Sequence, residues 1–201
     1  MAQKLVVATR NRGKLVEIAE MLAGLPVEIV AADAFPDIPD ADESGSTFEE
    51  NALLKARYFH ERTGLLTVAD DSGLEVEALD GAPGVRSARY ANTDAERIAR
   101  LLQALDGVPE EKRGARFTCV VALVGDGIEK AFTGEVRGKI RTAPAGSSGF
   151  GFDPVFEYPP MGRTFAELTR EEKSSVSHRG QAFRQLREFL YEPQTSRRNR
   201  P

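Results

Sequence analysis

Apolar residues along this chain fall into short runs whose period changes from one run to the next. Leu5-Val6-Val7-Ala8 is a continuous apolar run and reads as a first buried strand. Leu15, Ile18, Ala19, Leu22 and Leu25 then recur at the helical period and predict a helix with one inward face. Val27-Glu28-Ile29-Val30 predicts a second strand, and Ala31 to Gly45 a loop with Pro36 and Pro39. Thr47-Phe48-Glu49-Glu50 has the spacing of a capping box. The helix it opens runs to about Thr63, is ended by Gly64, and faces inward with Phe48, Ala52, Ala56 and Phe59. Asn51 and Lys55, four apart, share another side, whose default reading is a solvated face.

Leu65-Leu66-Thr67-Val68 predicts a third strand, giving out at Ala69-Asp70-Asp71-Ser72-Gly73. Gly81-Ala82-Pro83-Gly84 must turn, and Val85 to Tyr90 carries no clear period. Thr93-Asp94-Ala95-Glu96 caps a third helix with Ile98, Leu101, Leu102 and Leu105 inside. Arg116 to Val124 is a strong strand, and a hairpin turn at Gly125-Asp126-Gly127 leads to a partner strand from Ile128. The glycine-rich stretch Ala145 to Pro154 reads as a ligand loop or a hairpin with core phenylalanines, and Val155-Phe156 begins a short strand. Glu171 to Arg179 leads into a last helix with the stripe Phe183, Leu186, Leu190.

At 201 residues, 41% of them hydrophobic, the chain can build a real core in one domain. That domain is expected over residues 1–192, leaving a basic, disordered tail over 193–201 with Arg197, Arg198 and Arg200. A net charge of -4 argues against a nucleic-acid partner. One cysteine, Cys119, excludes an intrachain disulfide, and with His60 and His178 it cannot make a zinc site of the usual spacing. No signal peptide and no 18-residue apolar run is present, so the expectation is a cytoplasmic protein without membrane association.

Chemistry concentrates in five places. Asp70 and Asp71 stand together at the end of a buried run, and ionised carboxylates suit a hard cation such as Mg2+. Consecutive strand side chains point to opposite faces, so the two need not share a job. Thr9-Arg10-Asn11-Arg12-Gly13-Lys14 lies between a strand and a helix, where free N–H groups favour phosphate. It is not a Walker A loop, because Leu15 follows Lys14 where Ser or Thr is needed. The acids Asp37, Asp40, Asp42 and Glu43 offer a further metal carboxylate. Phe150 and Phe152 offer ring faces and Asp153 an acceptor, while Lys173, His178 and Arg179 gather cations near a helix start. Each segment alone has an ordinary structural reading: a turn, a strand–helix loop, a solvated acidic loop, a helix start.

Taken jointly and in order, these segments resemble the inosine triphosphate pyrophosphatase family. The matching stretches are Thr9 to Lys14, Thr47 to Ala52 with Lys55-Ala56, and Ala69 to Val76. Pro83-Gly84-Val85 with Ser87 to Tyr90, Gly149 to Pro154, and Lys173 with Ser177 to Gly180 complete the set. The resemblance implies an elongated α/β fold, a two-lobed mixed β-sheet flanked by helices with the substrate cleft between the lobes, and a homodimer. It implies hydrolysis of ITP, dITP and XTP to the monophosphate and pyrophosphate, clearing deaminated purines from the nucleotide pool. Carried onto this chain, Asp71 is similar to the proton acceptor and a metal ligand, and Glu43 to the other metal carboxylate, with Asp42 as the alternative. Thr9, Arg10, Asn11, Arg12, Gly13 and Lys14 match the triphosphate loop, and Ser72 a substrate contact. Phe150, Gly151, Phe152, Asp153, Lys173, His178 and Arg179 match the base and nucleotide pocket; Phe152 stands where many members carry tyrosine.

The implied reaction is attack at the α-phosphorus, with Mg2+ held by Asp71 and Glu43, and Asp71 or Asp70 taking a proton from water. A pocket donating to the purine O6, through His178 or Arg179, would reject adenine because donors would face its 6-amino group. A pyrimidine-nucleotide enzyme of the septum-inhibitor type and an idle nucleotide-binding regulator are the competing readings.

Overall fold

The computed structural model describes residues 3–191. Its centre is one seven-stranded mixed sheet in the order β2-β1-β3-β4-β5-β6-β7. The strands are β1 (Gln3–Val7), β2 (Val27–Ala31), β3 (Leu66–Val76), β4 (Gly114–Gly125), β5 (Ile128–Ile140), β6 (Phe156–Tyr158) and β7 (Arg163–Thr164). β1 runs parallel to both neighbours, pairing Leu5 with Ile29 on one side and with Leu66 on the other. This explains its apolar run, since a strand hemmed in on both edges and covered by helices keeps its side chains dry. β5 with β6 and β6 with β7 are antiparallel.

Among the described residues, five α-helices accompany the sheet: α1 (Arg12–Leu22), α2 (Phe48–Thr63), α3 (Asp94–Ala104), α4 (Arg170–Val176) and α5 (His178–Tyr191). The capping boxes read at Thr47/Glu50 and Thr93/Glu96 are both formed, and Gly64 closes α2 in the left-handed conformation at φ 66°. No helix among the described residues is long and apolar enough to cross a membrane. Residues 193–201, read above as a tail, lie outside the described residues.

Several boundaries differ from the sequence reading. β3 does not give out at the paired aspartates but continues through them to Val76, because strand pairing holds polar residues extended where local preference would turn them. α1 starts earlier than the phosphate-loop reading assumed, with Asn11 as N-cap, so Arg12, Gly13 and Lys14 form its first turn. Ala19, assigned to its inner face, is exposed. Gly84–Arg89, which had no readable period, is a 3-10 helix. Glu171 to Val176 is a helix in its own right, opened by a Thr169/Glu172 capping box.

The described chain gathers into two compact units. The first holds the residues up to Asp71, Val120–Thr133 and those from Gln181 onward; the second holds Ser72–Cys119 and Gly134–Gly180. In the first, Leu5, Val6, Ile18, Leu22, Ala52, Ala56, Val121, Leu123 and Phe183 are buried. In the second, a core cluster includes Leu74, Leu101, Leu105, Phe117, Phe152, Phe156 and Phe165.

Candidate active site

In the first unit, β3 and α2 bring acids and lysines together. Asp70 and Asp71 are both buried, and strand alternation sends them to different partners. Asp70 Oδ2 pairs with Lys14 Nζ at 3.0 Å. Asp71 Oδ1 lies 3.7 Å from Lys55 Nζ, and Asp71 Oδ2 accepts from Asn51 Nδ2 at 3.2 Å. Lys55 Nζ also donates to Glu43 Oε1 at 2.8 Å and to the Asp70 carbonyl at 2.7 Å. One ammonium thus gathers Glu43 from the acidic loop and Asp71 from the strand.

Asn51 and Lys55 are therefore not on a solvated face: Asn51 is 0% exposed and the Lys55 side chain 12%. Asn51 Oδ1 accepts from the Gly45 N–H at 2.8 Å, which turns its amide donor toward Asp71. A Cβ at Gly45 would come within 2.7 Å of that same Oδ1, so a side chain here would push Asn51 off the carboxylate. Burial moves the Asp71 carboxyl above its usual range, and the charges of Lys55 and Lys14 pull against that rise. For Lys55 burial works against the charge, but Asp71, Asp70 and Glu43 outweigh it and the ammonium is held more firmly than usual. The Lys55 ammonium is the counter-charge that Asp71 and Glu43 share, while the Glu43 charge adds to the rise at Asp71.

The Thr9–Lys14 segment splits in function. Thr9 Oγ1 accepts from the Asn11 N–H at 3.2 Å, and Asn11 Oδ1 caps α1 through the Lys14 N–H at 3.1 Å. Arg10 turns to the acidic loop. Its guanidinium donates to the Ile38 carbonyl at 2.6 Å, pairs with Asp40, and lies 3.6 Å from Asp33. Arg12 is exposed and Gly13 half-buried.

In the second unit, α4, the start of α5 and the Gly149–Asp153 loop bring a second set together. Lys173 Nζ donates to Asp153 Oδ2 at 2.6 Å, and the same oxygen accepts from the Phe150 N–H at 3.0 Å. The Phe150 ring centroid lies 4.9 Å from Lys173 Nζ and 5.5 Å from Arg179 Cζ. Arg179 and His178 are buried; Arg179 donates to Ser72 Oγ at 3.0 Å, and the His178 ring stacks on Phe117 at 4.7 Å. Gly151, half-buried, presents its N–H to Asp94 Oδ2. Phe152 is placed in the core cluster beside Tyr90. The stretch is an irregular turn, not a hairpin.

Asn51, Lys55 and Asp94 were absent from the sequence-read site. The i, i+4 spacing of Asn51 and Lys55 inside a matching stretch was the available signal; Asp94, hidden in a capping sequence, offered none. Among the described residues no three His, Cys, Asp or Glu side chains form a ready-made metal cage.

Comparison with known proteins gives a consistent result. The model of the Ham1 family matches residues 5–189. A dITP/XTP pyrophosphatase of Yersinia pseudotuberculosis is 51% identical over 194 residues, 94% of this chain and 98% of that protein. One from Streptomyces coelicolor is 51% identical over 189 residues, 91% and 94% of the two chains. Among solved structures, a HAM1 protein from Coxiella burnetii superposes with a TM-score of 0.87 at 45% identity, covering 95% of this chain and 100% of the other.

Proposed function

The chain belongs to the Ham1 family, and from that premise we propose that it hydrolyses dITP, XTP and ITP to the nucleoside monophosphate and pyrophosphate. The observation that carries the proposal is the convergence of Glu43 and Asp71 on Lys55, with Asp70 on Lys14 nearby in the strand. A substrate with four negative charges and a dication needs both signs of charge in fixed positions, and pre-set charges cost no reorganisation during reaction.

The donor set fits magnesium. Mg2+ takes one or two carboxylates and fills the rest of its shell with water and substrate phosphate, so the pair Glu43 and Asp71 suffices without a third protein acid. A bound magnesium ion supplies neutralising charge for phosphate oxygens and acidifies nearby water. Asp71 is the proton acceptor: burial raises its proton affinity, and the charges of Lys55 and Lys14 work against that rise. Asn51 orients it. Lys14 and the free N–H groups of the first turn of α1 bind the polyphosphate, with Thr9 and Asn11 shaping the turn. Phe150, Lys173, His178 and Arg179 receive the nucleoside part, Ser72 being a substrate contact held by Arg179. Buried cationic donors favour a purine with a 6-oxo group over adenine, since unmet buried donors cost about 1–3 kcal/mol each.

The reading extends to a homodimer, which rests on the family resemblance, and sedimentation analysis checks it. The decisive test of function is product analysis on a triphosphate panel with Mg2+. ITP, dITP and XTP should far outrun ATP, GTP and UTP and give pyrophosphate. Orthophosphate as the sole product, or no preference for 6-oxo deaminated purines, overturns the proposal.

A further inference from the structure

We propose that Asp94 is a positioning residue for purine recognition, fixing the Gly149–Asp153 loop so that the Phe150 ring is presented beside Lys173 and Arg179. The inference rests on the reading of that loop as the nucleoside-binding element.

Asp94 stands in the first turn of α3, yet the helix does not need it as a cap. Thr93 Oγ1 already accepts from the Glu96 N–H, and Glu96 Oε2 accepts from the N–H groups of Asn92 and Thr93. The Asp94 carboxylate is therefore available for longer-range work. One oxygen accepts from Arg97 at 2.6 Å; the other accepts from the Gly151 N–H at 2.7 Å, across 57 residues of sequence.

The loop requires such a tie. Gly149 and Gly151 sit at φ 77° and 64°, a conformation glycine reaches freely but does not hold unaided. A Cβ at Gly149 would come within 2.1 Å of Asp153 Oδ2, so the turn cannot be stiffened there by a side chain. It is stiffened by carboxylates instead. The Phe150 N–H is held by Asp153 Oδ2 and the next N–H, that of Gly151, by Asp94 Oδ2. Both peptide planes flanking Phe150 are pinned, which fixes its φ and ψ and so the direction in which its side chain leaves the backbone. Charge-assisted bonds from carboxylate to backbone N–H are among the stronger ones available. Release of Asp94 frees the second plane and lets the ring leave the two cations.

The test is calorimetric binding of IMP and of pyrophosphate, with kcat and KM for ITP, on the intact protein and on D94A, D94N and R97A. For D94A, IMP affinity should fall and KM for ITP rise about tenfold, the worth of one bond to a charged group, with kcat and pyrophosphate affinity within about twofold. D94N keeps a side-chain oxygen to accept from Gly151 and should recover most of the loss. R97A removes the other Asp94 bond together with the Arg97 Nε bond to the Ala91 carbonyl, leaves the Gly151 bond in place, and should keep IMP affinity near wild type. D94S, too short to reach Gly151 but suited to a helix start, gives the same reading should D94A fail to fold. Unchanged IMP affinity in D94A or D94S, or equal loss of IMP and pyrophosphate binding, overturns the role of Asp94. A wild-type protein that hydrolyses no ITP overturns the proposed function instead, so the two failures are distinct.

Discussion

Asp70 and Asp71 are consecutive on one strand, yet each answers to a different lysine: Asp70 to Lys14 on α1 at 3.0 Å, Asp71 to Lys55 on α2 at 3.7 Å. The strand's alternation separates them. As strand alternation predicts, the acidic pair is in the folded chain two ion pairs with different lysines. Lys14 is tied to the carboxylate that does not meet Asn51, and Asp71 is the one shared with Glu43 through Lys55.

D71N should therefore abolish turnover, a loss of roughly a thousandfold for a general base that also binds the cation, while the melting temperature stays close to wild type. D70N should show the reverse balance: a clear loss of stability, because Lys14 would be left half-buried without its carboxylate, and a smaller loss of rate. Steady-state kinetics beside thermal melts decides the assignment; comparable activity in D71N and wild type would end it.

The Lys55 charge lowers the proton affinity that burial raises at Asp71. A base must be deprotonated to act, so activity falls as pH drops through the Asp71 pKa. Removing the ammonium in K55Q raises that pKa further, and the acidic limb of the kcat/KM profile should move to higher pH. An unmoved limb in K55Q, measured at saturating Mg2+, would show that Asp71 is not the titrating base.

Arg10 ties the acidic loop to the end of β1 through Asp33, Asp40 and the Ile38 carbonyl. R10A should loosen the stretch from Phe35 to Glu43. Limited proteolysis should cut there faster than in wild type, and a higher Mg2+ concentration should be needed for half-maximal rate. Equal cleavage rates in the two proteins would remove the structural role.

Glu75 is held below its ordinary range. Burial opposes this, but hydrogen bonds from Arg116 Nε at 2.7 Å and Thr118 Oγ1 at 2.8 Å prevail. A carboxylate with a lowered folded pKa adds stability above its unfolded value, near 4.5, and loses it as pH falls through the folded one. R116A should melt lower than wild type at pH 7, and the gap should shrink as pH falls below 4.5 and through the lowered folded pKa of Glu75. Half-exposure of the pair limits the effect to about 1 kcal/mol or less. A gap of constant size across that range would contradict the assignment.

Much of the fold was legible locally. The capping boxes at Thr47 and Thr93 and the glycine stop at Gly64 are short-range signals, complete within a few residues, and each formed as read. The Gly125-Asp126-Gly127 turn likewise sits between the two long strands it predicted. The misreading at the candidate site came where partners are distant. β3 was cut short because an Asp-Asp-Ser-Gly sequence prefers a turn, and only pairing within the sheet keeps it extended.

The sequence by itself determined the order of most helices and strands and the family, and it supplied the candidate residues proposed for phosphate, cation and base chemistry. These follow from local patterns and from motifs whose order is fixed by the chain. The tertiary structure decided which charge meets which: Lys55 with Glu43 and Asp71, Arg10 with the acidic loop rather than with the first turn of α1, Asp94 with Gly151. The physical reason is that a buried charge is tolerated only beside its counter-charge. Where that counter-charge lies is set by strand register and helix packing across tens of residues.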